Sequence, residues 1–466
     1  RLDCVGCYGN PDFDQCVFKV LYEATDGIPR RVNQVVTRLL LLGAVEQRTR
    51  IDNAMLTAVM TEMMGDNTFP EAAPKPMDKI APAPAPGPIK HAARPAAPAP
   101  AQMAANVGTR EDEIRECIGC NICISSWHDG VPVRCTQNAT AGEEWRRGWH
   151  PEKFQHTKKP ETVLVIGGGP AGLEAALVAA RQGYEVTLAE QSSDWGGRVL
   201  QESQLPGLAV WRRVRDYRVW ALSQLGNVGM YTDSSMGIDE ISDLNSQHIA
   251  VATGAHWTKH LYSPLEIPSV PLLGPQVFTP EDAFAGRVTG ERILVFDYDN
   301  YYLGGVIAEH FGREGAQVVY ATPAGHASAW TFMTNELPYV YKALGEQGVE
   351  ILTTTNLDHF DGRQAQLSNL FNQQPLERTI DAVVIVGLRQ PNLDLYQSLQ
   401  RARTGGDKPR GNTTITLIGD ALAPGAIAHA VHSGHDFARS LLGGDDIYLR
   451  DEPITLTEPQ PVFIES

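Results

Sequence analysis

No stretch of this 466-residue chain approaches the roughly 20 consecutive apolar residues that cross a bilayer, and the run over 39–45 is too short and too polar at its flanks. Positive charge is scarce: 39 Lys and Arg face 55 Asp and Glu, a formal net charge of -16. That balance argues against nucleic acid as a partner, because binding it requires local positive charge that displaces counterions. No glycine-rich loop closes on Lys followed by Ser or Thr, so the chain carries no P-loop for ATP. No cysteine follows Cys135, which argues against a disulfide framework tying distant segments together. The first residues, Arg1-Leu2-Asp3-Cys4, are not those of a signal peptide. The expectation is a cytoplasmic protein without membrane insertion.

The cysteines that are present fall in two clusters: Cys4, Cys7 and Cys16, then Cys117, Cys120, Cys123 and Cys135. Three cysteines at two-residue intervals place their sulfurs around one small loop, and a fourth farther along closes the cage. This is the ligand arithmetic of a [4Fe-4S] cluster. Zinc competes, since four thiolates also satisfy its tetrahedral preference, but zinc sites more often use two separated Cys-x-x-Cys pairs. Gly119 suits a chain turning tightly, where backbone amides approach sulfur. Cys4, Cys7 and Cys16 lack a nearby fourth cysteine, and their ligand and role stay open.

Six regions follow from pattern. Residues 1–70 read as a small helical module, with apolar residues at three- and four-residue spacing over 32–42 and a second helix over 51–64 that Asp52 caps. Residues 71–108 are a proline- and alanine-rich tether, including Ala81-Pro82-Ala83-Pro84-Ala85-Pro86, too short of backbone donors to pack. Residues 109–160 form the cysteine segment. Beyond them, strands over 163–166, 186–189, 249–252, 293–296, 318–320 and 383–386 alternate with helices. The fold class is α/β, with parallel sheets covered on both faces and two Rossmann-like domains. The first occupies 161–285 and returns over 401–466; the second occupies 286–400.

Gly167-Gly168-Gly169-Pro170-Ala171-Gly172 follows the strand over 163–166 directly and opens a helix. Gly167 permits the tight turn, Gly169 lets a pyrophosphate approach the backbone, and Gly172 lets helix and strand pack closely. The helix start at Pro170 and Ala171 then meets the phosphate charge. Glu190 ends the next strand, where a carboxylate accepts both ribose hydroxyls of an adenosine. In the second unit the places of Gly167, Gly169 and Gly172 read as Asp297, Asp299 and Tyr302, with Tyr320 where the ribose-binding acid belongs. Two carboxylates repel pyrophosphate, and Gly304 and Gly305 come too late to repair the loop. The expectation is a retained scaffold that no longer binds NAD(P)H tightly. No residue reads as a substrate-activating base, and His429, His432 and His435, spaced along one helix, read as packing residues.

Two resemblances add to this. The stretch Leu21 to Asn33, with its Gly27-Ile28-Pro29-Arg30 turn, faintly resembles the helical lid of AAA-type ATPases over residues 17–65. Residues 109–466 resemble, far more specifically, the C-terminal portion of the trimethylamine dehydrogenase, dimethylamine dehydrogenase and 2,4-dienoyl-CoA reductase family. The runs Arg115 to Ser125 and Cys135 to Glu152 carry that likeness, with Leu205-Pro206-Gly207-Leu208, Arg215-Asp216-Tyr217-Arg218 and Gly419-Asp420-Ala421. In that family an FMN-bearing TIM barrel handles the substrate. The C-terminal extension holds the cluster and two nucleotide folds, which take FAD and NADPH in the reductases and ADP in trimethylamine dehydrogenase.

The resemblance implies that Cys117, Cys120, Cys123 and Cys135 ligate a [4Fe-4S] cluster. It implies FAD, alternatively ADP, at Gly167, Gly169, Pro170, Ala171, Gly172 and Glu190, joined by Gly197, Arg198, Thr253, Gly254, Gly419 and Asp420. Asp420 would contact the ribityl or pyrophosphate region. No barrel is legible here, so FMN is expected on a partner subunit in a hetero-oligomer. The resulting expectation is an iron–sulfur flavoprotein subunit that relays electrons between a partner's catalytic flavin and an acceptor such as an electron-transfer flavoprotein. A structural ADP-binding docking subunit and an NAD(P)H-dependent flavin oxidoreductase are the alternatives. Where amine dehydrogenases carry an acceptor-docking tyrosine after the tryptophan matching Trp211, this chain has Arg212 and Arg213, which would favour an acidic partner surface.

Overall fold

The computed structural model describes residues 12–25, scattered positions of 32–43, and 50–65, 114–150, 153–263, 266–272, 274–405 and 413–443. Cys4, Cys7 and the tether over 71–108 lie outside the described residues. In the N-terminal module, helices Gln15–Thr25 and Asn53–Gly65 enclose a core of Val17, Leu21, Leu39, Leu56, Val59 and Met60. Asp52 caps the second helix, its Oδ1 accepting the Met55 amide at 3.0 Å. The described positions within the helix predicted over 32–42 are helical, and the others lie outside the described residues.

The first nucleotide fold is built from β1 (Thr162–Ile166), α1 (Pro170–Arg181), β2 (Glu185–Ala189), α2 (Arg213–Ser223), β3 (Val228–Tyr231), α3 (Ile238–Leu244) and β4 (His248–Val251). The second contains β5 (Val277–Phe278), β6 (Arg292–Asp297), α4 (Tyr302–Arg313), β7 (Gln317–Ala321), β8 (Glu350–Leu352) and β9 (Ala382–Val386). The chain then returns to the first through α5 (Asp394–Gly405), β10 (Thr414–Leu417) and α6 (Ile427–Ser440). Both five-stranded sheets are parallel, ordered β10-β4-β1-β2-β3 and β5-β9-β6-β7-β8. Strand order reverses between β1 and β4 in one sheet and between β6 and β9 in the other, the points where such folds open a ligand crevice.

Near-continuous apolar strands explain the burial. Val163 and Val165 face α1, α2 and α6, while Leu164 and Ile166 face Ile241 of α3 and Leu399 of α5. The second sheet departs from the expected helical cover on both faces. Its Leu294, Phe296, Val383 and Ile385 pack on Leu357, Phe360, Ala365 and Leu367 of a three-stranded antiparallel sheet, Thr355–Phe360, Gln364–Asn369 and Pro375–Thr379. Those strands are polar on their outer face and one carries a bulge between Leu357 and His359, so their short alternation is weak in the sequence.

A buried polar network joins the cysteine segment to the first fold. Arg218 is fully buried and donates to Glu174 Oε2 at 2.7 Å, to Gln137 Oε1 at 3.1 Å and to the Gln137 carbonyl at 3.1 Å. The second Glu174 oxygen meets His435 Nδ1 at 2.8 Å, and Arg439 donates to His435 Nε2 at 3.1 Å. Arginine only donates, so Nε2 accepts and the imidazole proton sits on Nδ1, facing Glu174. Arg439 also holds the carbonyls of His150 and Lys153, and Trp149, 1% exposed, lies against His435 at 5.0 Å between ring centroids. Burial alone would raise the Glu174 pKa, but Arg218 and His435 overcome it and hold the carboxyl well below the usual range.

Replacing Arg218 by Ala leaves Glu174 in the interior without its guanidinium partner, only the His435 hydrogen bond remaining, and is expected to cost about 3–5 kcal/mol in denaturant unfolding. A pH series supplies a second test. Burial lowers the His435 and His429 pKa values and takes His432 to about 4. Groups depressed in the folded state bind protons preferentially when unfolded, so their stabilisation is complete above roughly pH 6.5 and is lost as pH falls below it. Glu174 adds a further loss below about pH 4.3. The melting temperature should therefore drop by several degrees between pH 7.5 and pH 5, and steepen below that.

Candidate functional site

The chain leaves β1 at the switch point and turns sharply at Gly167, whose φ is 109°. A Cβ there would lie 2.3 Å from the Ala252 carbonyl oxygen, and one on Gly172 would lie 1.8 Å from the Gly167 carbonyl oxygen. Both positions admit only glycine. Gly169 faces open space, as close approach of a phosphate requires, and Pro170 begins α1. Glu190, 8% exposed, is held ready by the Gly168 amide at 2.6 Å and by the Ser192 amide and hydroxyl at 2.8 and 2.7 Å.

The remaining predicted contacts gather at the same crevice. Gly197 lies on the Gly169 backbone. Thr253 and Gly254 lie just past β4 and are tied to Asn392, the Thr253 hydroxyl donating to the Asn392 carbonyl at 2.7 Å. Gly419 packs on Ala171. Asp420 is drawn into an ion-pair cluster: its Oδ2 meets Arg198 and Arg389 at 3.0 Å each, and its Oδ1 accepts the Gly425 amide at 3.1 Å. Both arginines also donate to the Gly425 carbonyl at 2.8 Å. Arg389 and Ser192 were missed from sequence. Arg389 sits in a short strand after the second fold and carries no motif; Ser192, two residues past the acid, is a turn signal that was available.

The second fold corrects the gapless reading of its loop. Strand register equates Ile166 with Phe296, since Ile166 pairs with Ala189 and Phe296 with Ala321. The turn that follows is two residues longer before α4 begins at Tyr302. Gly304, third in α4, therefore matches Gly172, third in α1, and a Cβ on it would lie 2.4 Å from Asp297 Cγ. The last glycine is retained, not displaced. The same register puts Thr322, not Tyr320, opposite Glu190. Tyr320 instead braces the loop from within, its hydroxyl donating to Asp297 Oδ2 and accepting the Ser328 amide at 2.8 Å. Asp297, fully buried in place of Gly167, also accepts the Asn300 amide at 3.0 Å. Burial and the neighbouring Asp299 push its pKa to about 7. An internal carboxyl and its partners thus replace the first glycine of the turn and brace the lengthened loop from beneath. The loop is tied to the neighbouring strand as well, the Tyr298 and Asp299 amides both donating to the Val386 carbonyl.

The cysteine loop curls through two left-handed residues, Gly119 (φ 65°) and Asn121 (φ 53°), and Asn121 donates to the Thr334 carbonyl of the second fold at 3.1 Å. Cys117 is exposed, Cys120 buried, and Cys123 and Cys135 lie between. Among the described residues no three His, Cys, Asp or Glu side chains gather closely enough to hold a single metal ion. The loop does present donors to sulfur: the Gly119 amide to Cys117 and the Asn138 amide to Cys135, both at 3.4 Å, and Thr136 Oγ1 at 3.1 Å from Cys120. Burial pushes the Cys120 thiol up to about 12, so a thiolate there needs a cation beside it. A small space next to Cys120 is walled by Thr136, Trp211, Tyr301, Tyr302 and Ala426. The Trp211 indole nitrogen is buried there without a hydrogen-bond acceptor.

Tyr301, Tyr302 and Ala426 also wall a cavity of about 340 Å³ whose other sides include Arg198, Arg389, Trp257 and His429. Trp211, Tyr302, Tyr301 and Trp330 form a chain of edge-on ring contacts, each 4.6 Å between centroids, along this wall.

Residues 162–233 match the family described as FAD dependent oxidoreductase, and residues 278–379 the OYE-like second alpha/beta domain. Dimethylamine dehydrogenase of Hyphomicrobium sp. (strain x) is 36% identical over 366 residues, 72% of this chain and 49% of that protein. The solved structure of histamine dehydrogenase from Rhizobium sp. 4-9 superposes with a TM-score of 0.69 at 36% identity, over 76% of this chain and 54% of that one. Over the residues these comparisons cover, the chain fits the trimethylamine dehydrogenase, dimethylamine dehydrogenase and 2,4-dienoyl-CoA reductase family. A second family structure, the 6-hydroxypseudooxynicotine amine oxidase of Pseudomonas geniculata N1, gives a TM-score of 0.68 at 39% identity, covering 74% of this chain and 51% of that one. The chain spans about half the length of these relatives. Among the described residues no helix is long and apolar enough to cross a membrane.

Glu190→Ala removes a charged acceptor from the adenosine end of the crevice. ADP affinity, measured by calorimetry, is expected to fall roughly 10- to 100-fold.

Proposed function

We propose that this chain is an iron–sulfur flavoprotein unit of an amine-dehydrogenase-like oxidoreductase, passing electrons between a catalytic flavin borne on another domain or subunit and an acceptor such as an electron-transfer flavoprotein. The observation that carries this reading is the shared wall: Tyr301, Tyr302 and Ala426 separate the space beside Cys120 from the cavity at the end of the nucleotide crevice by a single layer of side chains. The four cysteines suit a [4Fe-4S] cluster by their amide and hydroxyl donors to sulfur and by the buried, unpartnered Trp211 indole in the adjoining wall. When bound, the cluster supplies single-electron transfer, and a flavin exchanges two electrons on one side and single electrons on the other. The chain's own residues bind and orient. Glu190 holds the ribose, α1 offers its first turn to the pyrophosphate, and the aromatic wall excludes water between the two compartments.

ADP is the alternative to FAD at this crevice; Asp420 is held by Arg198, Arg389 and the Gly425 amide, and its Oδ1 keeps one acceptor site for a ligand hydroxyl. An NAD(P)H-dependent flavin oxidoreductase is opposed by the carboxyl side chains of Asp297 and Asp299, which stand in the lengthened second turn where the first fold has glycines. For the acceptor surface, Arg212 and Arg213 are offset by Asp216 at 3.7 Å and Glu116 at 2.8 Å, which weakens the case for an acidic partner drawn there by charge.

Anaerobic purification with native partners, followed by iron, sulfide and nucleotide assay, tests the proposal. The expected result is four iron and four sulfide per chain with FAD or ADP released on denaturation, and no bleaching on addition of NADH. Zinc without labile sulfide, or rapid reduction by NADH, would overturn it.

A further inference from the structure

Cys120 is the most deeply buried of the four candidate ligands, 9% exposed, and Thr136 beside it is 3% exposed. Their sulfur and hydroxyl stand 3.1 Å apart, with no room for bulk water to compete. A thiolate ligand has no proton to give, so in the loaded protein the hydroxyl must donate and the sulfur accept. The Ile122 amide reinforces the same sulfur. Cys117 and Cys135 receive main-chain amides at longer distance, 3.4 Å each. Thr136 follows Cys135 directly, so one residue links the last ligand of the set to the middle ligand of the Cys117–Cys123 loop.

We infer that Thr136 sets the reduction potential of the cluster held by Cys117, Cys120, Cys123 and Cys135, through its hydroxyl hydrogen bond to the Cys120 sulfur. This rests on the iron–sulfur reading above. Adding one electron increases the negative charge on the ligand sulfurs. A fixed donor in a poorly solvated site stabilises that added charge more than it stabilises the oxidised state, and so raises the potential. Thr136 is a positioning residue in this scheme: it neither ligates metal nor touches substrate. Unlike the amide donors it can be removed by substitution while the shape of the loop is kept.

The test uses the full chain, purified anaerobically, with iron and sulfide assayed for each form and the midpoint potential read by an EPR-monitored redox titration. Thr136→Val keeps the branched shape and removes the hydroxyl; Thr136→Ser keeps the hydroxyl and trims the methyl. Val is expected to shift the midpoint to a more negative value with iron content unchanged, and Ser to return it to that of the parent. Thr136→Ala, also without the hydroxyl, takes the place of Val should Val fail to retain iron. An unchanged midpoint in a hydroxyl-free variant that holds its iron, or equal shifts in Val and Ser, would overturn the inference. Absence of iron and sulfide from the parent protein would instead overturn the cluster reading itself, which the assay distinguishes before any titration.

Discussion

The architecture depends on one buried charge assembly. Glu174 on α1, Arg218 on α2 and His435 with Arg439 on α6 lie at 8% exposure or less, and their hydrogen bonds reach Gln137, His150 and Lys153 of the cysteine segment. The segment buries Ile118, Ile122, Ala139 and Trp149, but its largely irregular backbone also carries polar groups that need partners once buried. Here it is held because its carbonyls satisfy guanidinium donors that would otherwise be orphaned in the interior. The cost is rigidity of composition: removing any partner strands a charge.

The two nucleotide folds show opposite solutions to one electrostatic problem. A strand–turn–helix unit collects backbone amides and wants an anion. The first fold leaves the space open at Gly169, with Glu190 held at the end of the neighbouring strand by the Gly168 amide. The second brings its own carboxyl, Asp297, and braces it with Tyr320 and Asn300. The lengthened loop is turned to a different use. Tyr301 and Tyr302 now stand between Cys120 and the cavity.

Much of this was legible beforehand, for identifiable reasons. The strand–glycine–helix–strand–acid order around Gly167 and Glu190 is local in sequence, so its predicted contacts converge on one crevice. Asp52 as a cap is equally local. The three polar strands over 355–379 were not legible, because their one buried face shows as only a few alternate apolar residues. The alignment of the second loop failed for a subtler cause. Counting residues without gaps assumes equal turn lengths, and two extra residues moved Gly304 into the place assigned to Tyr302 and left Tyr320 facing Asp297.

By itself, then, the sequence determined the local pattern: which thiols lie close along the chain, which turn is built of glycine, which strands are apolar throughout. These follow from spacing along a covalent chain. The tertiary structure alone decided what those groups meet across long separations. It paired Arg389 and Arg198 with Asp420, set Tyr320 against the buried Asp297, and set the Thr136 hydroxyl against the Cys120 sulfur. No periodicity encodes such pairings, because a charge or a donor becomes informative only when burial removes the water that would otherwise satisfy it.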